Sequence, residues 1–129
     1  MGQQVETSGA PAALGPYSQG IREGALVFAA GQLGLDPGSG NLVDGGVAEQ
    51  TDRALRNLTA ILDAAEVSLD RVVKTTVFLA DMGDFSAMNE IYATHFSAPF
   101  PARSTIAVKQ LPKGALVEIE AIAVAADGG

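Results

Sequence analysis

Apolar residues recur along this chain with two different periods. Across 47–65 they fall at Leu55, Leu58, Leu62 and Ala65, with Ala54 and Ile61 beside them, while Asp52, Arg53, Arg56 and Asp63 take the other side. Spacing of three and four residues is the stripe of an amphipathic helix. A second stripe, Phe85, Met88, Tyr92 and Phe96, predicts another helix, with Asp84 placed to cap it and Pro99 and Pro101 to end it. Elsewhere the pattern has no helical period. Segments 18–22 and 25–31 read as strands of a hairpin turning at Glu23-Gly24. Segment 72–80, rich in Val, Thr and Phe and apolar on both faces, reads as a central, covered strand. Segments 103–109 and 115–125 read as a second hairpin with a longer loop over 110–114. The run Asp36-Pro37-Gly38-Ser39-Gly40-Asn41 is a cluster of turn formers and predicts an exposed loop.

Strand, strand, helix, strand, helix, strand, strand is an α+β order, which packs as a two-layer sandwich with two helices on one face of a mixed sheet. At 129 residues the chain fits a single domain spanning 1–129, and the ends, 1–9 and 126–129, are expected to be flexible.

Composition narrows the chemistry. There are no cysteines and one histidine, His95, so disulfides, thiolate nucleophiles and multi-histidine metal sites are excluded, and no metal or cofactor is expected. His95, near a helix end, reads as a surface or dipole-compensating residue. Eight Lys and Arg against fifteen Asp and Glu give a net charge of -7. Such a field repels phosphates unless basic residues cluster, and none do, so no nucleic-acid partner is expected. No segment approaches the ~20 apolar residues of a membrane span and the start lacks a basic-then-apolar signal pattern, which predicts a cytoplasmic protein without a membrane partner. The glycines at 31, 34, 38 and 40 lack the Lys-Ser/Thr of a phosphate loop.

Strand parity then suggests where charge collects. In the last strand Val117, Ile119, Ala121 and Ala123 share one face, and Leu116, Glu118, Glu120, Ile122 and Val124 the other. Taking the first set as the helix-covered core and matching Ile106 and Val108 to it puts Arg103, Thr105 and Ala107 on the face of Glu118 and Glu120. That face also carries Leu116, Ile122 and Val124, whose burial calls for further copies of the chain. A crevice between copies would partly dehydrate a charged group and strengthen its hold on an anion.

Several strings carry a resemblance. Pro101-Ala102-Arg103-Ser104, then Leu111-Pro112-Lys113, then Val117-Glu118-Ile119-Glu120-Ala121-Ile122-Ala123 resemble the signature of the RidA (YjgF-type) deaminases. Gly15-Pro16-Tyr17-Ser18-Gln19-Gly20, Ala30-Gly31-Gln32, Val73-Lys74-Thr75-Thr76-Val77-Phe78-Leu79 and Met88-Asn89 agree in order, so the similarity runs from about Ala10 to Val124. The resemblance implies a chorismate-mutase-like fold, a homotrimer, and sites in the clefts between subunits. It implies that Arg103 holds a substrate carboxylate, that Glu118 holds or activates water, and that Tyr17, Gly31, Asn89 and the backbone around Thr105 line the pocket. Two positions depart from the family's frequent residues: Ala30 stands where serine is common, removing a hydroxyl hydrogen bond, and Thr105 where cysteine is common.

The activity so implied is hydrolysis of reactive 2-imino acids and enamines, such as 2-iminopropanoate and 2-iminobutanoate, to 2-keto acids and ammonia. A planar guanidinium at Arg103 suits the planar carboxylate of such a substrate, and a water activated at Glu118 would add to the C=N carbon. Three other readings stand beside it. The same fold could act on a pathway-specific imine or enamine, or bind a small carboxylate as a regulator without turnover. Some family members are described as endoribonucleases, which the acidic charge argues against.

Overall fold

The helical stripes build what their spacing requires. The computed structural model describes residues 2–125, and in it helix α1 (Val47–Ala64) and helix α2 (Phe85–His95) lie on one face of a six-stranded sheet. Leu55, Leu58, Ile61 and Leu62 of α1 are fully buried against the sheet, each side chain contributing ~1.5–3 kcal/mol of burial free energy. The amide of Gly46 donates to Glu49 Oε1 at 2.8 Å, which satisfies one of the free donors at the start of α1. Asp84 occupies the capping position of α2 as expected, but its side chain makes no capping hydrogen bond; Asp81 instead accepts from the Gly83 amide in the preceding turn. No helix among the described residues is long and apolar enough to cross a membrane.

The strands are β1 (Gln3–Val5), β2 (Gly20–Glu23), β3 (Leu26–Leu33), β4 (Val72–Leu79), β5 (Ala102–Ala107) and β6 (Val117–Val124), in the spatial order β1-β2-β3-β6-β4-β5. The first hairpin forms as predicted, turning at Gly24, whose φ of 60° suits glycine. The second does not. β4 inserts between β5 and β6, pairing parallel with β5 and antiparallel with β6, so the loop after β5 is a crossover rather than a hairpin turn. The long apolar run of β4 fits this inner position, although only its helix side is fully covered.

Pairing register overturns one parity assignment. Val117, Ile119, Ala121 and Ala123 do face the helices. Thr75 of β4, also fully buried on that side, lies abreast of both Ala121 and Arg103, so Arg103, Thr105 and Ala107 belong to the helix-side face, opposite Glu118 and Glu120. Ile106, assigned to the core by its hydrophobicity, projects from the open face and is 47% exposed. It joins Leu26, Phe28 and Val73 as large apolar residues left in water on this chain.

The N-terminal expectation also changes. Rather than forming a loose leader across 1–9, Gln3–Val5 adds an edge strand to β2, with Val5 buried. Residues 1 and 126–129, where fraying was also expected, lie outside the described residues. The segment after β1 is tied down by Gln19, which is buried: its Oε1 accepts from the Thr7 amide at 2.7 Å, and its Nε2 donates to the carbonyls of Thr7, Ala10 and Pro11. His95 is not a simple surface residue either; its Nε2 meets Asp52 Oδ1 at 2.8 Å and ties the end of α2 to α1. Replacing Gln19 by Ala strands these backbone groups. It should lower unfolding free energy by about 1–3 kcal/mol in urea titrations at fixed protein concentration, and speed amide exchange at Thr7; unchanged exchange there would show that the segment is held by something else.

Candidate active site

The predicted site residues separate into two groups. Tyr17, Gly31 and Glu118 line one cleft of about 750 Å³, together with Lys113 and Glu120. Asn89 and Arg103 line another of about 400 Å³, with Tyr92, Phe100 and Pro101. Within one chain the arginine and Glu118 stand on opposite faces of the sheet and do not meet.

In the first cleft, Glu118 is brought close to the backbone by a bulge. Between Ala29 and Gln32 strand β3 advances three residues while β6 advances two, so Ala30-Gly31 carries one extra residue opposite Glu120. Gly31 lies under the Glu118 side chain: a Cβ at position 31 would stand 2.9 Å from Glu118 Cδ, closer than carbon atoms pack. With glycine there the carboxylate can lie where it does, and a Cβ would force it to move. Half-buried there, Glu118 has its pKa raised above the ordinary 4.5, first by desolvation and then by the negative charge of Glu120. Tyr17, at the mouth, is 55% exposed and follows a tight turn in which its amide donates to the Gly15 carbonyl at 2.8 Å. Lys113 Nζ donates to the Gly40 carbonyl at 3.0 Å, fastening the loop after β5 to the 36–41 turn across the same cleft. That turn forms as expected, with Asp36 Oδ1 accepting from the amides of Gly38 and Ser39.

In the second cleft, Arg103 lies against α2. Its Nη1 donates to Asn89 Oδ1 at 2.8 Å, and its guanidinium carbon stands 4.7 Å from the ring centre of Tyr92 and 5.5 Å from that of Phe85. The Tyr92 hydroxyl shares a 2.7 Å hydrogen bond with Thr75 Oγ1, and burial raises the phenol's pKa. Asn89 was legible from its motif. Phe85 and Tyr92 were read only as core, although Phe85, Asn89 and Tyr92 are spaced i, i+4, i+7 and must share a helix face. Thr105 lies two residues beyond Arg103 on the same face, half-buried and abreast of Val77.

A half-buried guanidinium with one fork edge committed to Asn89 is suited to hold a small anion by the other edge. A carboxylate with a raised pKa is suited to exchange a proton with water or substrate. Among the described residues no three His, Asp or Glu side chains converge as metal ligands.

Comparison with known proteins places these features in a family. The family model described as Endoribonuclease L-PSP matches residues 7–125. The mouse 2-iminobutanoate/2-iminopropanoate deaminase is 54% identical over 120 residues, which cover 93% of this chain and 89% of that protein. Among solved structures, RidA from an Antarctic Psychrobacter superposes with a TM-score of 0.91 at 43% identity, covering 95% of this chain and 98% of that one. E. coli TdcF, solved with bound serine, gives 0.89 at 40% identity over 95% and 98% of the two chains. With the two-helix mixed sheet, the Gly31 bulge and the Arg103 and Glu118 motifs all in place, the chain belongs to the RidA (YjgF-type) family, the family of the Endoribonuclease L-PSP model.

Proposed function

We propose that this protein is a 2-imino acid and enamine deaminase, acting as a cytoplasmic, homotrimeric hydrolase without metal or cofactor, with each active site built from two neighbouring copies. The observation that carries the assembled site is the separation of Arg103 and Glu118 onto opposite faces of one sheet. Support for the reaction comes from the deaminase relatives, 54% identical in the mouse protein, and support for an amino-acid-sized ligand from the serine bound to TdcF.

In this reading Arg103 of one copy pairs its free edge with the substrate carboxylate, beside Asn89 and Thr105. The cleft of Tyr17, Gly31 and Glu118 on the next copy covers the imine. Glu118 takes a proton from water as its oxygen adds to the C=N carbon and passes that proton to the imine nitrogen. The same carboxylate then carries the carbinolamine's hydroxyl proton to the nitrogen as the C–N bond breaks, giving a 2-keto acid and ammonia with Glu118 ionised again, so one water is consumed and no redox partner is needed. Free imines already hydrolyse in water, so positioning and one proton transfer suffice for a useful acceleration. The exposed Leu26, Phe28 and Ile106 give neighbouring copies apolar surface to bury. RNA is not the proposed substrate: a chain of net charge -7 neutralises a phosphate backbone poorly.

With the imine generated in situ by an amino-acid oxidase and trapped by semicarbazide, Arg103→Ala should lower kcat/KM by at least about a hundredfold while fold and assembly persist. Equal rates for the two proteins would remove the deaminase reading; a wild type that binds a keto acid without speeding ammonia release would make it a carboxylate sensor instead. Mixing inactive Arg103→Ala with inactive Glu118→Gln and reassembling them should restore about a quarter of wild-type activity, because each shared site then has one chance in four of two intact halves. No recovery on exchange of subunits would place both groups in one copy's site.

The raised pKa of Glu118 sets a pH dependence. The carboxylate must be ionised to accept the proton, so kcat should fall as pH drops through a midpoint above 4.5. Because Glu120 adds to the shift, Glu120→Gln should move that midpoint down. A midpoint unmoved or raised in that variant would assign the acid limb to another group.

A further inference from the structure

Tyr92 is bonded in a way that a core residue does not need. Its ring is 4% exposed and stacks on Phe96 with centroids 4.6 Å apart, which a phenylalanine would do equally well. Yet its hydroxyl is carried into the interior and held at 2.7 Å by Thr75, itself fully buried. A buried hydroxyl without a partner is unfavourable, so the pair is a matched device that fixes the ring against rotation and tilt. Thr75 is also the residue on β4 that lies abreast of Arg103 on β5. Three links therefore close on themselves: the strand register joins Thr75 to Arg103, the hydroxyl bond joins Thr75 to Tyr92, and the Tyr92 ring lies 4.7 Å from the guanidinium carbon of Arg103. Phe85, two turns back on the same helix face, adds a second ring centred 5.5 Å from that carbon.

We propose that Tyr92, locked by Thr75 and aided by Phe85, is a positioning residue that holds the Arg103 guanidinium in the orientation that receives the substrate carboxylate. The inference rests on the reading of Arg103 as the carboxylate clamp and extends it to the residues behind the clamp. An arginine side chain that is free to rotate must be ordered when its ligand arrives, and that cost weakens binding. Here the ring faces favour the cation electrostatically and exclude water from one side of it, while Asn89 Oδ1 takes one Nη1 hydrogen. Rotation about the long axis of the fork is thereby restricted before any ligand is present. The drier surroundings also strengthen the pair once a carboxylate is seated.

The test measures steady-state hydrolysis of 2-iminobutanoate and, separately, calorimetric binding of pyruvate, a carboxylate that needs no turnover. Variants are made in the full chain and checked for assembly. Tyr92→Leu should raise KM and weaken pyruvate binding by about tenfold each, with kcat changed less than about threefold. Tyr92→Phe, which keeps the ring but loses its lock, should recover both to within about threefold of wild type, and Thr75→Val should match it. An assembled Tyr92→Leu protein whose KM and pyruvate affinity stay within about twofold of wild type would overturn the proposal. So would a loss confined to kcat and to the melting temperature, the mark of a purely structural tyrosine. Should Tyr92→Leu fail to fold, the half-buried Phe85 decides: Phe85→Leu is expected to weaken pyruvate binding about threefold, and no change would overturn the cradle. A wild type that binds pyruvate through Arg103 but does not hydrolyse the imine would remove the deaminase reading and leave the pyruvate titrations to judge Tyr92.

Discussion

The register of β4 between β6 and β5 is the constraint on which the candidate site depends. Thr75 lies abreast of Ala121 on one side and Arg103 on the other, and Phe78 abreast of Glu118 and Ile106. Side chains alternate along each strand, so this one alignment turns Arg103 toward the helices and Glu118 away from them. A shift of one residue between β4 and β5 would reverse the arginine, remove it from Asn89 and Tyr92, and put Ala102 and Ser104 in the helix-side layer. The two helices cover one face only. The other keeps Leu26, Phe28 and Ile106 in water, so the alignment that separates Arg103 from Glu118 also leaves Ile106 in an exposed apolar patch.

The two halves of the site use different means of holding a charge in place. Arg103 is fixed by side chains of α2, with an amide oxygen at its edge and aromatic rings at its face. Glu118 lies over backbone: the bulge at Ala30-Gly31 leaves, without a Cβ at Gly31, a gap that the carboxylate occupies. The consequences differ in sign. Rings beside an arginine favour the cation and dry one side of it, which suits an anion receptor. A carboxylate pressed toward backbone, with Glu120 nearby and desolvation dominant, is pushed toward protonation. Those are the properties wanted of a binding group and of a group that trades protons.

Much of this was legible in the sequence where one rule governed each residue. The stripe of α1 and the alternation of β6 follow from a period alone, and both hold in the structure. Inference failed where hydrophobicity had two meanings. Ile106 is apolar but not helix-facing, and taking it for core placed Arg103 on the wrong face; the open face of this sheet also carries large apolar residues, so hydrophobicity alone does not tell the two faces apart. The second hairpin failed for a related reason, since adjacency in sequence suggested pairing and nothing local reveals that β4 comes between β5 and β6. Tyr92 was read as core and is buried there, but its second contact was not foreseen. Its stripe with Phe85, Met88 and Phe96 has the spacing of a core, and only the position of Arg103 shows that part of that core faces a cation. The edge strand Gln3–Val5 is polar at two of its three residues and carries almost no signal.

For an acidic protein to bind the acidic substrate proposed here, the attraction must be local. A net charge of -7 offers no long-range steering to a carboxylate, and salt screens such fields within about 8–10 Å in any case. In the proposed site, specificity for a small monoanion rests on the Arg103 guanidinium, half-buried and with one donor committed to Asn89. A polyanion gains less from one such contact, because the chain's net charge of -7 opposes each further phosphate. On the proposed reading, the rings beside Arg103 bear on selectivity as well as affinity: they strengthen one contact at short range in a molecule whose overall charge opposes extended ones.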